Sequence, residues 1–115
     1  MNRDEFDNII SLLSRTVTEL EYSVVQAYDQ FLFKYGAGHP YSARLESYFP
    51  AIDKQREYID ELEKYFADGN FIEFHSVTAK IRALSNMVKE DAKSFLGYIS
   101  SGESTFTEWS NETVH

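Results

Sequence analysis

Three stretches of this chain repeat their apolar residues with a helical period, and none alternates apolar with polar residues as a strand does. In the first, Phe6, Ile10, Leu13, Val17, Leu20, Val24, Ala27 and Phe31 follow one another at spacings of four and three. That is a heptad seam, widened by Ile9, Leu12, Val25, Tyr28 and Leu32. Neither Gly nor Pro interrupts it before Gly36, so one helix is predicted over residues 3–35. Gly36-Ala37-Gly38-His39-Pro40 supplies its stop.

The second stripe is Leu45, Tyr48, Phe49, Ile52, Ile59, Leu62, Tyr65 and Phe66, with Ser42 as its N-cap. Pro50 lies inside it. A proline either kinks a helix or opens a new one at its first turn. The stripe keeps its phase across Pro50, so the second helix is expected to be kinked or broken there, giving three long helices or four segments. Asp68-Gly69-Asn70 closes it and offers Asn70 as the next cap. The third stripe is Phe71, Phe74, Thr78, Ile81, Ser85, Val88, Ala92, Phe95 and Ile99, bordered by Leu84 and Leu96 and ended by Ser100, Ser101 and Gly102.

A helix with one apolar face must bury it, and short links favour antiparallel neighbours. The expected fold is therefore all-α: an antiparallel bundle of three long helices over residues 1–101. A short disordered polar tail is expected over 102–115. From Glu103 to His115 the chain holds three acids and no Lys or Arg, with Phe106 and Trp109 as its large apolar groups.

Composition narrows the function classes. With 43% hydrophobic residues the chain has enough apolar area to fold, and 115 residues make one domain. A net charge of −8 argues against nucleic acid, whose binding needs basic groups to replace counterions, and against anionic membranes. There is no Cys, which excludes disulfides and thiolate metal sites. No stretch approaches the roughly 18 to 20 apolar residues of a membrane span. Met1-Asn2-Arg3-Asp4-Glu5 leads into no continuous apolar run, so a cytoplasmic protein is expected.

Candidate chemistry is thin. His39 and His115 read as solvated loop and terminal residues. Glu112-Thr113-Val114-His115 has the Glu-x-x-His spacing of carboxylate-bridged metal bundles, but such sites need two copies and further glutamates. No metal or cofactor is expected. His75, at the edge of the third stripe beside Phe74, would need an orienting partner to act as base or nucleophile, and Glu73 and Ser76 point to other faces. Asp53, Glu57, Asp60, Glu61 and Glu63 are interleaved with Lys54, Arg56 and Lys64, which reads as a solvated helix face rather than an acid–base pair. Asn111-Glu112-Thr113 matches the glycosylation triplet, read here as chance.

One feature runs against the overall acidity. Arg82, Asn86, Lys89 and Lys93 occupy one flank of the third helix at spacings of four, three and four. The structural account is that they pair with acids of a neighbouring helix. The functional one is a docking strip for an acidic partner, with Trp109 as a further anchor.

Tyr65-Phe66-Ala67-Asp68-Gly69-Asn70-Phe71, followed by Ala79-Lys80-Ile81-Arg82-Ala83-Leu84-Ser85-Asn86-Met87-Val88, resembles the turn and helix of the histidine phosphotransfer domains of bacterial phosphorelays. The resemblance spans Ile59 to Phe95. It implies a helical bundle that binds a kinase or receiver, with Arg82 at the family's basic position. Ala79 stands where the phosphoacceptor His belongs, and Lys89 where the glycine belongs. A relay of phosphate would therefore have to use His75, which lies too near the helix start.

The leading expectation is a non-enzymatic helical bundle that binds another protein, as an adaptor, inhibitor, immunity protein or antagonist. The alternatives are a phosphorelay module, a homodimer built on the long first seam, and an acidic mimic of DNA phosphates.

Overall fold

The computed structural model describes the backbone of residues 1–109 and the side chains of residues 1–101. All regular structure among them is helical: α1 (Arg3–Tyr35), α2 (Pro40–Glu46), α3 (Phe49–Ala67) and α4 (Phe71–Trp109). No helix among the described residues is long and apolar enough to cross a membrane.

The caps follow from the local sequence. Asn2 accepts the Glu5 N–H at 2.8 Å, and Asp4 and Glu5 sit in the first turn of α1, where the helix dipole favours negative charge. Gly36 ends α1 at φ +87°, a conformation that side chains resist, and its N–H reaches the Leu32 carbonyl at 2.9 Å. Asn70 caps α4 as expected, accepting the Glu73 N–H at 3.2 Å. The cap of α2 differs from the expectation. His39 holds it, its Nδ1 accepting the Tyr41 N–H at 3.1 Å, while Ser42 lies within the helix and is fully buried. Pro40 in the first turn moves the start of α2 upstream of Ser42. His39 is accordingly half-buried rather than solvated, and stacks on Tyr35 at 4.5 Å.

The second stripe is split into two helices at Ser47–Tyr48. Pro50 has no N–H to give the Glu46 carbonyl, so the helical ladder fails there. Ser47 and Tyr48 stay near helical angles, and the Tyr48 N–H turns three residues back to the Leu45 carbonyl at 3.1 Å. The junction is thus a tightened turn. Leu45, Tyr48 and Ile52 keep one phase and are all buried.

Aromatic rings close both ends of the molecule. At one end Phe6 stacks on Phe66 at 4.4 Å and tilts against Phe74 at 5.9 Å. Arg3 lies over the first two rings and bonds Glu63 at 3.0 Å. At the other end Phe31, Tyr41 and Phe95 meet edge to face or tilted, and Tyr28 packs edge-on against Phe49 at 5.7 Å. Between the ends Arg56 of α3 reaches Glu21 of α1 at 2.8 Å. Leu13, Val17, Leu20, Val24, Ile59, Leu62, Ile81 and Val88 form the aliphatic middle of the core.

The third stripe holds with two corrections. Val77 joins the core, whereas Phe71, in the first turn before α4 meets its neighbours, is 40% exposed. Ser100, Ser101 and Gly102 do not interrupt α4, which is assigned to Trp109. Serine and a single glycine only weaken a helix, glycine by about 1 kcal/mol, and no proline follows to break it. The side chains of the expected polar tail, 102–115, fall outside the described residues.

Asp91 of α4 ties α2 in place. It accepts the Tyr48 hydroxyl at 2.5 Å and three guanidinium bonds from Arg44, at 3.3, 2.9 and 2.8 Å. The Tyr48 hydrogen bond first, and Arg44 second, hold the Asp91 carboxyl below its ordinary range. A depressed carboxylate pKa adds stability that is present above the unfolded value, about 3.9, and is lost as pH falls through the lower folded value. Asp91→Asn is therefore expected to lower the urea midpoint at neutral pH. The pair is partly exposed, so the loss is about 1 kcal/mol or less. The difference from the parent should shrink as the solution is acidified below pH ~4.

Phe74 is completely buried where three elements meet. Phe74→Ala is expected to cost about 3–5 kcal/mol in urea unfolding, the range for deleting a buried ring.

Candidate functional site

The described side chains concentrate no reactive chemistry. His75 is exposed on α4 and makes only an edge contact with the Phe74 ring at 5.7 Å. Ala79 is exposed one turn further on, followed by exposed Arg82, so that face of α4 presents a methyl group and no nucleophile at position 79. Asp53, Glu57, Asp60, Glu61 and Glu63 are all exposed. Glu57 pairs with Lys54 at 3.2 Å, and Glu63 with Arg3. Among the described residues no three His, Cys, Asp or Glu are grouped to hold a metal ion.

The most developed surface feature is a groove between α1 and α4. α3 packs closely against α4, and α1 packs closely against α2 and α3, but α1 and α4 meet along few residues. The opening has two connected sections. The larger, about 530 Å³, is walled by Leu20, Val24 and Ala27 of α1 and by Ala92 and Leu96 of α4, with Leu45 at its base. The smaller, about 240 Å³, lies toward the middle of the molecule, between Leu13 and Val17 on one side and Ile81 and Ser85 on the other. Thr16 and Lys89 line both.

The basic flank expected on α4 forms one rim of this groove. Arg82, Asn86 and Lys89 border the smaller section, and Lys89 and Lys93 the larger. All four are exposed, and none of the three cations forms an ion pair with a described acid. The acids that do pair across helices choose other cations: Glu63 takes Arg3, Glu21 takes Arg56 and Asp91 takes Arg44. The flank is thus a set of unneutralised charges beside an apolar trough. Across from it the α1 rim carries Glu19. The Trp109 side chain lies outside the described residues.

The groove also holds polar atoms that sequence reasoning missed. Gln55 of α3 is fully buried at the floor of the smaller section. Its amide nitrogen donates to the Ala51 carbonyl at 3.3 Å, but its Oε1 has no hydrogen-bond partner. The Ser85 hydroxyl, lining the same section, is likewise buried without a partner. Gln55 sits at a helical position between Ile52 and Ile59, and the apolar stripe passes over it. A polar residue in phase with an apolar stripe was the available signal.

Comparison with protein families, curated proteins and solved structures finds no match to this chain.

An unpartnered buried carbonyl carries a desolvation penalty of about 1–3 kcal/mol. Gln55→Met, which keeps the volume and removes the polar atoms, is expected to raise stability by about 1 kcal/mol in urea unfolding.

Proposed function

We propose that this chain is a non-enzymatic, cytoplasmic protein-binding module, an antiparallel bundle of three long helices whose α1/α4 groove receives a helical segment of another protein. The order of contacts supports the bundle: Phe6, Glu21 and Tyr28 of α1 meet Phe66, Arg56 and Phe49 of α3, so numbers rise along one helix as they fall along the other. Phe6 and Phe31 meet Phe74 and Phe95 in the same order, so α4 lies parallel to α1.

One observation carries the functional reading. The unpaired cations Arg82, Lys89 and Lys93 all edge the same apolar trough. An apolar trough with these walls accepts an amphipathic helix through its stripe of large side chains. A basic rim selects a helix with acids along that edge, and suppresses partners that carry bases there. The segment that resembles a phosphotransfer helix supplies the same rim through Arg82, so binding without phosphate transfer is also what that resemblance supports.

Capture from host lysate is the direct test. A Lys89→Glu/Lys93→Glu double variant is expected to fold with unchanged helical circular dichroism and to lose the partner bound by the parent. Lys64→Glu, a charge reversal on the exposed face of α3, and His75→Ala are expected to keep it. Equal recovery by the parent and the Lys89/Lys93 variant would rule out the groove rim as the docking surface.

A further inference from the structure

α1 carries apolar groups on two opposite faces. Its core seam, which includes Leu13, Val17, Leu20 and Val24, is buried inside the chain and offers nothing to a partner. Half a turn round the helix, Tyr22, Val25 and Phe33 face away from the core and are 63%, 37% and 95% exposed. A single exposed apolar residue is ordinary on a protein surface. These three belong to one line, because steps of three and four connect them. Ser11, Arg15 and Thr18 lead into Tyr22 and Val25, and Asp29 and Phe33 follow. All seven are exposed, and none lines the α1/α4 groove. α1 thus has a second, outward seam about 33 Å long.

Charge along this seam determines what fits it. Its two ionic residues, Arg15 and Asp29, have opposite signs and stand seven residues to either side of Tyr22. Neither forms an ion pair with a described residue. Seven residues is close to two helical turns, so all three share one side of the helix. A second α1 laid antiparallel, Tyr22 against Tyr22, sets Arg15 of each copy opposite Asp29 of the other. The same register sets Phe33 over Ser11, whose small side chain leaves room for the ring, and Glu19 opposite uncharged Gln26. A parallel alignment would instead set Asp29 against Asp29 and Arg15 against Arg15. The seam complements itself only when turned end over end, which is the symmetry of an isologous twofold contact. We infer that two copies of this chain associate through the outer face of α1, antiparallel, with the twofold axis at Tyr22.

The interface is small. Four aromatic rings supply most of it, at about 150–250 Å² each. With Val25 and the aliphatic stems of Arg15 it reaches the order of 1,000 Å², the lower end for a specific contact. The charge of −8 per copy opposes association. The dimer is therefore weak and dissociates on dilution, and its exposed ion pairs fix register and orientation more than strength. Because the seam and the groove share no residue, the inference does not rest on the groove being a docking surface.

The test uses the full chain. Light scattering at high concentration is expected to give twice the 13.4 kDa chain mass, falling to the monomer on dilution. Tyr22→Ser/Phe33→Ser, both outside the core, is expected to stay monomeric with unchanged helical circular dichroism. Arg15→Asp and Asp29→Arg should each raise the dimer dissociation constant about tenfold, since each turns two attractive pairs into repulsive ones. Asp29→Arg is the sharper of the two: it makes the chain less acidic, so overall repulsion alone would strengthen its association. An equimolar mixture of the two variants matches both pairs again and is expected to recover a mixed dimer at the parent's concentration. A strict monomer at millimolar concentration would overturn the inference. So would a dimer that survives Tyr22→Ser/Phe33→Ser, or a mixture that associates no better than its components.

Discussion

The apolar seam of α1 has to be covered along its whole length, and no single neighbour in the connected hairpin is long enough to cover it. α1 has 33 residues and α3 has 19, so at 1.5 Å per residue α3 falls about 20 Å short. The remainder is covered by α2, seven residues set off by Pro50 and turned to keep Leu45 and Tyr48 in the core. The ring cluster at one end and the Tyr41–Phe95 contact at the other then fix the register of the long helices. The tie from Arg44 and Tyr48 to Asp91 matters for this reason: it holds the short helix against α4, where a seven-residue segment has little stability of its own.

Satisfying that constraint from the α3 side leaves the opposite side open. α1 and α4 each spend their best apolar residues on α2 and α3, and meet each other loosely. The groove is the consequence. Its walls are small or aliphatic, Ala27, Ala92, Val24 and Leu96, and its floor keeps Gln55 and Ser85 with atoms that lack partners. A protein selected only for stability would close such a gap or replace its polar floor with apolar groups. Retaining both beside uncompensated cations is what the proposed docking role rests on, stability being given up for recognition.

Much of the fold was legible in the chain. The bounds of α1, the role of Asn70, the division near Pro50 and most of the core residues are local consequences of periodicity, capping chemistry and a missing amide hydrogen. The errors were local as well. Ser42 looked like a cap because serine favours that position, but Pro40 had already started the helix, and His39 took the role with its ring nitrogen. Phe71 looked like core because it shares the phase of the stripe, yet phase says nothing about whether a neighbour extends that far.

The Arg82–Lys93 flank shows the same division. The spacing by itself determined that Arg82, Asn86, Lys89 and Lys93 share one side of a helix, since a helix puts residues three and four apart together. It did not decide whether they would be neutralised. That depended on which acids of α1, α2 and α3 came within reach, and Glu21, Glu63 and Asp91 each found a different cation. Nor could one helix show that its basic edge would border a trough, because a groove belongs to two helices and to the distance between them. Periodicity along the chain specifies faces, and only the packing of one face against another specifies what is left uncovered.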